Sequence, residues 1–306
     1  MTAKDPISPN AAAAGPITLG GQLTVHRLGF GAMRITGPGI WGPPKEPDEA
    51  VRVLRCAVEL GVTFIDTADS YGPHVSEDLI AQALHPYPPE LVIATKGGLT
   101  RPGPDLWNRN GQPKHLREAC EGSLRRLKLE RIDLYQLHAP DPQVPYESSL
   151  EELARLKQQG KIRLIGLSNV SVKEIKRAQA TTPIASVQNR YNIADRNSDG
   201  VLEYCQDAGI AFIPWAPLGS ARLASKSRSD EPLGRIASSH HVTIGQVVIA
   251  WLLARSRVIL PIPGTSSVDH LRANVAAAHV HLTPDEMSEL SQLDQPTRKA
   301  HSSNEL

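Results

Sequence analysis

Residues 146–169, YESSLEELARLKQQGKIRLIGLSN, decide the fold class. The first half carries apolar residues at helical spacing, at Leu150, Leu153, Ala154 and Leu156. Gly160 then precedes a β-rich run, Ile162–Leu167, that has apolar residues on both faces. A helix that ends at a glycine and leads into a strand buried on both sides is typical of a parallel α/β protein.

The same unit recurs along the chain. The β-rich runs are Leu28–Phe30, Thr63–Asp66, Leu91–Thr95, Ile132–Leu137, Ile162–Leu167, Ala185–Gln188, Ile210–Trp215 and Val258–Ile262. Gly29 and Gly31 are not followed by the third glycine of a dinucleotide-binding G-x-G-x-x-G motif, which disfavours the alternative of an open doubly wound sheet. Polar residues follow many of the strands, and only a closed barrel brings such ends to one mouth. We therefore predict an α/β fold of the (β/α)8 TIM barrel type.

The flanking segments complete this prediction. Gly20–Gly21 lies between two short β runs and predicts a two-residue hairpin turn, which could plug the barrel bottom. Two helices, at 268–277 and 284–293, are additional to the eight units. With no linker in between, residues 17–294 are expected to form a single domain, flanked by a mobile N-terminal tail (1–16) and a C-terminal tail (295–306).

Composition excludes several classes of protein. The 306 residues carry 33 Lys and Arg against 32 Asp and Glu, so no nucleic-acid partner is expected. No apolar run reaches the roughly 18–20 residues that span a bilayer, and the N-terminus has no apolar signal segment. Cys56, Cys120 and Cys205 fall in predicted helices at no metal-binding spacing. We expect buried thiols in a reducing cytoplasm, no membrane association and no metal site.

Four ionisable residues are predicted at the barrel mouth, namely Asp66, Tyr71, Lys96 and His138. A lysine ammonium near a phenol lowers the phenol pKa toward neutrality, and Asp66 would keep the buried lysine charged. Tyr71 would then act as a general acid toward a carbonyl oxygen that His138 orients. Such a site needs a separate nucleophile, and hydride from a nicotinamide fits this requirement.

Other strand ends offer groups that suit a dinucleotide. Ser168, Asn169 and Gln188 present hydroxyl and amide groups for a carboxamide, and Trp215 presents a flat face for a nicotinamide ring. The pyrophosphate could pass along the loop that contains Leu218, Gly219 and Ser220. Backbone N–H groups at Gly264, Thr265, Ser266 and Ser267 precede a helix and could bind an anion. The alternative for Ser266 or Ser267 is a simple helix N-cap.

The chain resembles the aldo-keto reductases from Leu19 to Leu293. The resemblance rests on GFGAMR, GVTFIDTADSYG, LVIATKGG, SLRRLKLERIDLYQLHAPD, GKIRLIGLSNVS, VQNRYN, IPWAPLGSARL and TIGQVVIAWLLARSRVILPIPGTSSVDHLRANVAA. It implies NADPH-dependent reduction of an aldehyde or ketone without metal, by a tetrad carried here by Asp66, Tyr71, Lys96 and His138. The stretches ITGPGIWGPP and SYGPHVSEDLIAQALHPY are similar to the bacterial, pyridoxal-reductase-like branch.

One departure concerns the cofactor. Many relatives grip the 2′-phosphate of NADPH with Lys and Arg at positions that read Gly264 and His270 here, whereas Ser266, His270 and Arg272 remain as phosphate partners. Since histidine is only partly charged near neutral pH, we expect a weakened preference for NADPH that allows NADH. Asn274 matches the adenine contact of the family. Trp41, and Trp107 in the long loop 97–112, are candidates for the substrate wall.

Two other functions remain open. Barrels commonly place a reactive lysine at a strand end, so Lys96 could form a Schiff base in an aldolase. A nicotinamide-binding regulatory subunit that senses redox state is the second alternative. For the reductase, the expected partner is a small-molecule carbonyl compound, and the expected assembly is a monomer or a weak homo-oligomer.

Overall fold

Parallel strands that alternate with helices form the body of the molecule. The structure is a computed structural model that describes residues 8–219 and 231–293. The described strands are β1 (Pro16–Leu19), β2 (Leu23–His26), β3 (Phe30–Gly31), β4 (Phe64–Asp66), β5 (Val92–Gly97), β6 (Leu99–Gly103), β7 (Leu106–Arg109), β8 (Ile132–Leu137), β9 (Ile162–Ser168), β10 (Ser186–Arg190) and β11 (Ala211–Trp215). The described α-helices are α1 (Pro47–Glu59), α2 (Val75–Leu84), α3 (Pro113–Leu127), α4 (Tyr146–Gln158), α5 (Val172–Gln179), α6 (Asp199–Ala208), α7 (Pro232–Ser239), α8 (Ile244–Arg255), α9 (Val268–Ala276) and α10 (Pro284–Ser291).

Seven parallel strands form one curled sheet in the order β3, β4, β5, β8, β9, β10, β11. An eighth segment closes it, since Phe212 N–H donates to Val258 O (2.8 Å) and Leu260 N–H donates to Phe212 O (2.9 Å). On the other side of this segment, Gly29 N–H donates to Pro261 O at 2.9 Å. These bonds join the two edges of the sheet, and the predicted (β/α)8 barrel is confirmed.

The eighth segment is less regular than the sequence predicted. Val258–Ile262 was expected to be a strand, but only Ile259 forms a β-bridge, to Phe212 of β11. The physical reason lies in Pro261 and Pro263, which have no N–H group to extend a hydrogen-bonded ladder.

The N-terminal hairpin plugs the barrel bottom, as predicted. Leu19, Leu23 and Val25 of β1 and β2 are buried in one cluster with inward-facing residues of the strands, namely Phe64, Val92, Ala94, Leu134, Leu164, Ala185, Ala211, Ile213, Leu260 and Ile262. The predicted turn length was wrong. Leu19 pairs with Leu23, so the turn has three residues, of which Gly20 and Gly21 have φ of 53° and 67°.

The N-terminal boundary also differs from the prediction. Residues 1–16 were expected to be a mobile tail, yet Ala11–Ala14 form a 3₁₀ helix. Ala11 is fully buried, and its N–H donates to Leu60 O at 2.8 Å after helix α1. The N-terminal segment is therefore packed against the barrel from Ala11 onward. Residues 1–7 and 294–306, which include the predicted C-terminal tail, lie outside the described ranges.

The helices cover the outside of the sheet. Cys56 in α1, Cys120 in α3 and Cys205 in α6 are buried free thiols. Within the described ranges no single helix has the length and apolar character to cross a membrane. Helices α7 and α8 reach that length and apolar character only when they are taken together, and they are bent by 95° relative to each other.

Candidate active site

Strand ends bring the predicted ionisable residues together. Asp66 is the last residue of β4, Lys96 lies near the end of β5, and His138 directly follows β8. These three strands are neighbours, and Lys96 is in register with Gln136 of β8. Tyr71 lies on the loop after β4, in a tight turn in which the Tyr71 N–H donates to Ala68 O at 3.2 Å. The barrel therefore gathers all four residues at the carboxyl ends of its strands.

Lys96 is the centre of this group and is fully buried. Its Nζ donates to Asp66 Oδ1 (2.5 Å), to the backbone oxygen of Thr67 (2.8 Å) and to Tyr71 OH (3.4 Å). The other carboxylate oxygen, Asp66 Oδ2, accepts from Gln136 Nε2 and Gln188 Nε2, each at 2.9 Å. The buried ion pair is thus satisfied on both sides, which a charge in a protein interior requires.

Burial dominates the ionisation of these groups. Burial lowers the pKa of Lys96, but the Asp66 carboxylate and Tyr71 raise it, and the net shift is upward. Burial raises the pKa of Tyr71, and the Lys96 charge opposes this only in part. Lys96 lowers the pKa of Tyr71 as expected, but burial outweighs this effect, so the expected net shift toward neutrality is wrong. Tyr71 stays a phenol at neutral pH, which is the form that can donate a proton.

His138 completes the group and is 7% exposed. Its Nδ1 lies 3.4 Å from Ser70 Oγ, and its ring lies edge-on to Tyr71 with centroids 5.8 Å apart. Burial and the positive charges of Lys96 and Arg101 lower the pKa of His138 well below its usual value. The imidazole is therefore neutral, and when Ser70 donates to Nδ1 the ring proton lies on Nε2.

This neutral histidine predicts a loss of stability in acid. An unfolded His138 takes up a proton near pH 6.5 whereas the folded one does not, so stability falls as pH drops below that value, by up to about 1.4 kcal/mol per pH unit. We expect His138→Asn to lose less stability than the wild type between pH 7 and pH 5 in urea unfolding. His241→Asn, at an exposed histidine, is the control. Equal losses in H138N and the wild type would contradict the prediction.

A cavity of about 290 Å³ opens above these residues at the barrel mouth. Its lining contains most of the residues that the sequence singled out: Asp66, Tyr71, Trp107, His138, Ser168, Asn169, Gln188, Trp215, Leu218, Gly219 and Gly264. Gly31, Met33, Arg34, Ile40, Leu99, Ala216, Pro217, Ile262 and Pro263 complete the lining. Lys96 lies beneath this surface, behind Asp66 and Tyr71.

The residues predicted to face a nicotinamide carboxamide differ in which of their hydrogen-bonding atoms are already engaged within the protein. Gln188 donates its Nε2 protons within the protein, and its Oε1 accepts no hydrogen bond from the described residues. Asn169 is fully engaged, because its Nδ2 donates to His138 O (3.0 Å) and its Oδ1 accepts from Trp215 Nε1 (3.0 Å). Ser168 Oγ accepts from Asn169 Nδ2 at 3.1 Å. Gln188 and Ser168 are therefore the better placed ligands for a carboxamide.

The predicted phosphate end lies between the eighth segment and α9. A Cβ on Gly264 would be 2.4 Å from Gly31 O, so only glycine fits at this position without a shift of the backbone. Ser267 is the helix N-cap and accepts from His270 N–H, which settles the N-cap alternative in favour of Ser267. Ser266 lines a neighbouring cavity instead, and Ser220 lies outside the described ranges.

The remaining predicted cofactor residues lie outside the lining of the main cavity. Thr265 and Asn274 are buried, and Thr265 Oγ1 accepts from Ser267 N–H at 3.1 Å. His270 is exposed on the first turn of α9. An acidic residue that sequence analysis missed is also present here, since Glu49 of α1 accepts from Val268 N–H at 3.2 Å. Arg52 of the same helix pairs with the other Glu49 carboxylate oxygen, so the predicted phosphate end lies beside an ion pair.

The two tryptophans predicted for the substrate wall have different positions. Trp107 lines the cavity, edge-on to Tyr71 with centroids 6.3 Å apart, whereas Trp41 does not line it. The long loop 97–112 contains the antiparallel pair β6 and β7, which the sequence did not predict. Arg101 of β6 stacks on Trp107, with its Cζ 3.6 Å from the ring centroid.

Three residues that were not predicted from the sequence lie beside the group of Asp66, Tyr71, Lys96 and His138. Gln136 is a polar residue inside the otherwise apolar strand IDLYQL, and that signal was available. Ser70 and Arg101 gave no such signal, because their contacts depend on loop conformations.

Comparisons with known proteins identify related sequences and structures. The model of the aldo/keto reductase family matches residues 27–295. An uncharacterized oxidoreductase of Schizosaccharomyces pombe is 47% identical over 283 residues, covering 92% of this chain and 91% of that protein. Pyridoxine 4-dehydrogenase of Escherichia coli is 43% identical over 278 residues, covering 88% of this chain and 95% of that protein. The crystal structure of an aldo-keto reductase from Klebsiella pneumoniae with NADPH has a TM-score of 0.77 and 27% identity, covering 93% and 96% of the two chains.

Proposed function

Since this chain belongs to the aldo/keto reductase family, we propose that it reduces an aldehyde or ketone to the alcohol with NADPH, with Tyr71 as the proton donor. The observation that carries the proposal is a tyrosine that lines the cavity and whose hydroxyl lies 3.4 Å from Nζ of the fully buried Lys96. A phenol beside a cavity with a largely apolar lining suits the protonation of an oxygen that gains negative charge. We place this activity in the cytoplasm.

The chain's own residues suit a nicotinamide cofactor. Gln188 and Ser168 lie at the cavity base with a free amide oxygen and a hydroxyl, which match the donors and acceptors of a carboxamide. Gly31 and Gly264 both line the cavity and bring two backbone segments into close contact, so backbone rather than side chains would face a bound dinucleotide there. When bound, NADPH would supply hydride to the carbonyl carbon.

The other site residues then have defined tasks. His138 is neutral and can donate Nε2–H to the carbonyl oxygen, which holds that oxygen near Tyr71 OH. Tyr71 gives its proton to the same oxygen as negative charge develops there. The Lys96 ammonium stabilises the phenolate that remains, and Asp66 keeps Lys96 charged. The products of this reaction are the alcohol and NADP⁺.

The cavity wall and one relative together indicate the substrate class. Met33, Ile40, Leu99 and Trp107 give the mouth an apolar lining beside Tyr71. A relative that is 43% identical over most of this chain is named pyridoxine 4-dehydrogenase. We therefore include in the proposal that the substrate is an aldehyde on a flat aromatic ring, with pyridoxal as the first compound to test.

An absorbance assay at 340 nm tests this proposal. The purified full chain is mixed with NADPH or NADH and with pyridoxal, 4-nitrobenzaldehyde, methylglyoxal or a 1,2-diketone. We expect cofactor consumption that depends on the carbonyl compound and is fastest with an aromatic aldehyde. Cofactor binding, followed by quenching of tryptophan fluorescence, without any consumption would contradict the reductase and favour the redox-sensing alternative.

The Schiff-base alternative finds no support in the ionisation of Lys96. An amine must lose its proton before it attacks a carbonyl carbon, whereas the Asp66 carboxylate favours the ammonium form of Lys96 and its pKa is raised. Borohydride treatment with pyridoxal present should therefore leave Lys96 unmodified.

Glu49 predicts an effect on cofactor choice. Its carboxylate lies beside the start of α9 and is paired with Arg52, so Glu49→Gln removes a negative charge and frees the Arg52 guanidinium, and it should favour NADPH over NADH by about two- to fivefold in kcat/KM. Glu59→Gln, at the other end of α1, is the matched control. An unchanged NADPH to NADH ratio in E49Q would show that the 2′-phosphate does not lie near Glu49.

A further inference from the structure

Arg101 is a buried arginine that the proposed chemistry does not use. It lies on β6, is 8% exposed, and lies outside the lining of the cavity. Its hydrogen bonds within the described residues all go to backbone carbonyl oxygens. The guanidinium donates through Nε to Leu106 O (2.7 Å), through Nη1 to Ile40 O (3.0 Å) and Ser70 O (3.3 Å), and through Nη2 to Gly39 O (2.8 Å) and Gly103 O (3.4 Å).

These acceptors belong to three separate segments of the barrel mouth. Gly39 and Ile40 lie on the loop after β3, Ser70 lies on the loop that carries Tyr71, and Leu106 lies on the β6–β7 hairpin. Backbone hydrogen bonds also connect these segments in pairs: Asp105 N–H donates to Gly39 O (3.1 Å), Gly72 N–H to Ile40 O (3.3 Å) and Gly42 N–H to Gly72 O (2.8 Å). The Arg101 guanidinium, with donors in a fixed planar fork, is the one side-chain group among the described residues that bonds to all three segments at once.

The same guanidinium lies against the aromatic wall. Its Cζ is 3.6 Å from the ring centroid of Trp107 and 5.8 Å from that of Trp41. Trp107 in turn lies edge-on to Tyr71 and to His138, with ring centroids 6.3 Å away in both cases. Arg101 thus fixes one face of Trp107, while the indole lines the cavity above the proton donor.

We propose that Arg101 is a positioning residue that fixes Trp107 above Tyr71 and His138, and that it thereby sets the preference for flat aromatic carbonyl substrates. This inference rests on the proposed reductase function. An indole that is held still presents a ready-made flat surface to an aromatic ring. A mobile indole would have to be ordered when each substrate binds, and that cost would weaken binding of aromatic substrates most.

Lysine cannot replace this residue. A lysine at this position would keep the positive charge, but an ammonium cannot reach five carbonyl oxygens in three segments or stack flat on an indole. The substitution Arg101→Lys therefore separates the geometry of the clamp from its charge. Arg27→Lys is the control, because Arg27, which is half-buried, also donates only to backbone carbonyls among the described residues, those of Leu253, Ser256 and Ile259, away from the cavity.

Steady-state kinetics with 4-nitrobenzaldehyde and methylglyoxal provide the first test. For R101K we expect the KM for 4-nitrobenzaldehyde to rise about tenfold or more, with kcat within about threefold of the wild type and a much smaller change for methylglyoxal. In a Trp107→Leu background, the same Arg101→Lys change should add little, since the residue through which Arg101 acts is gone. Equal losses for both substrates, or full additivity with W107L, would overturn the proposal.

Hydrogen exchange provides a test that does not need turnover. We expect faster amide exchange in R101K at residues 37–44 and 99–110, and unchanged exchange at these residues in Arg27→Lys. Unchanged exchange in R101K would overturn the clamp whatever the kinetics show. If the wild type reduces no carbonyl compound while R101K shows faster exchange, the clamp stands and the proposed function, with the substrate preference, fails.

Discussion

Tyr71→Phe is expected to abolish carbonyl reduction and to leave cofactor binding within a few-fold of the wild type. The substitution removes one oxygen, which is the atom that Lys96 contacts at 3.4 Å and the proposed source of the proton. A positioned general acid contributes about 10²- to 10⁴-fold to a rate, so kcat should fall by that factor. The 340 nm assay and quenching of tryptophan fluorescence by NADPH measure the two effects separately.

Tyr87→Phe is the matched control for this experiment. The Tyr87 hydroxyl also makes a single protein hydrogen bond, to Leu127 O at 2.7 Å, but it lies away from the cavity lining. We expect Y87F to keep full turnover. A Tyr71→Phe enzyme that retains turnover would remove Tyr71 from the role of proton donor and would direct attention to His138.

Lys96→Met should damage both activity and stability. It leaves the Asp66 carboxylate, which is 2% exposed, without its cation, and removing one partner of a buried pair costs about 3–5 kcal/mol. It also removes the charge that stabilises the phenolate of Tyr71, so the loss of kcat should approach that of Y71F. Urea unfolding and the pH dependence of kcat measure the two consequences.

Lys161→Met is the control that compares the buried Lys96–Asp66 ion pair with a more exposed ion pair. Lys161 pairs with Glu121 at 2.6 Å, but its side chain is 31% exposed, and such a pair contributes about 1 kcal/mol or less. A stability loss in K96M no greater than that in K161M would mean that Asp66 finds other compensation. A pH–rate profile identical to that of the wild type would contradict the coupling between Lys96 and Tyr71.

The sequence predicted the elements that repeat. Strand and helix periods, together with glycines such as Gly160, predicted a barrel because each unit leaves the same local pattern. The positions of Asp66, Lys96 and His138 followed from the barrel itself, since strand ends converge whatever the loops do. The eighth strand was predicted from apolar character alone, and the two prolines in and after it prevented a regular ladder.

The parts that the sequence did not predict depend on long-range contacts. Arg101 lies 61 residues from Ile40, and nothing in the local pattern around either residue indicates that they meet. The pKa of Tyr71 was predicted in the wrong direction because it depends on the balance between burial and a neighbouring charge. That balance requires the depth of the site, which only the folded chain defines.

The hairpin β1–β2, which closes the bottom of the barrel, affects how substrate and product enter and leave the site. With Leu19, Leu23 and Val25 sealing one end, substrate, product, water and protons share the opening at the mouth. When two molecules bind through one opening, they bind and are released in a fixed order, because the molecule nearer the opening blocks the one beneath it. The short segment that plugs the bottom of the barrel therefore shapes the kinetic scheme of the enzyme from the side opposite its chemistry.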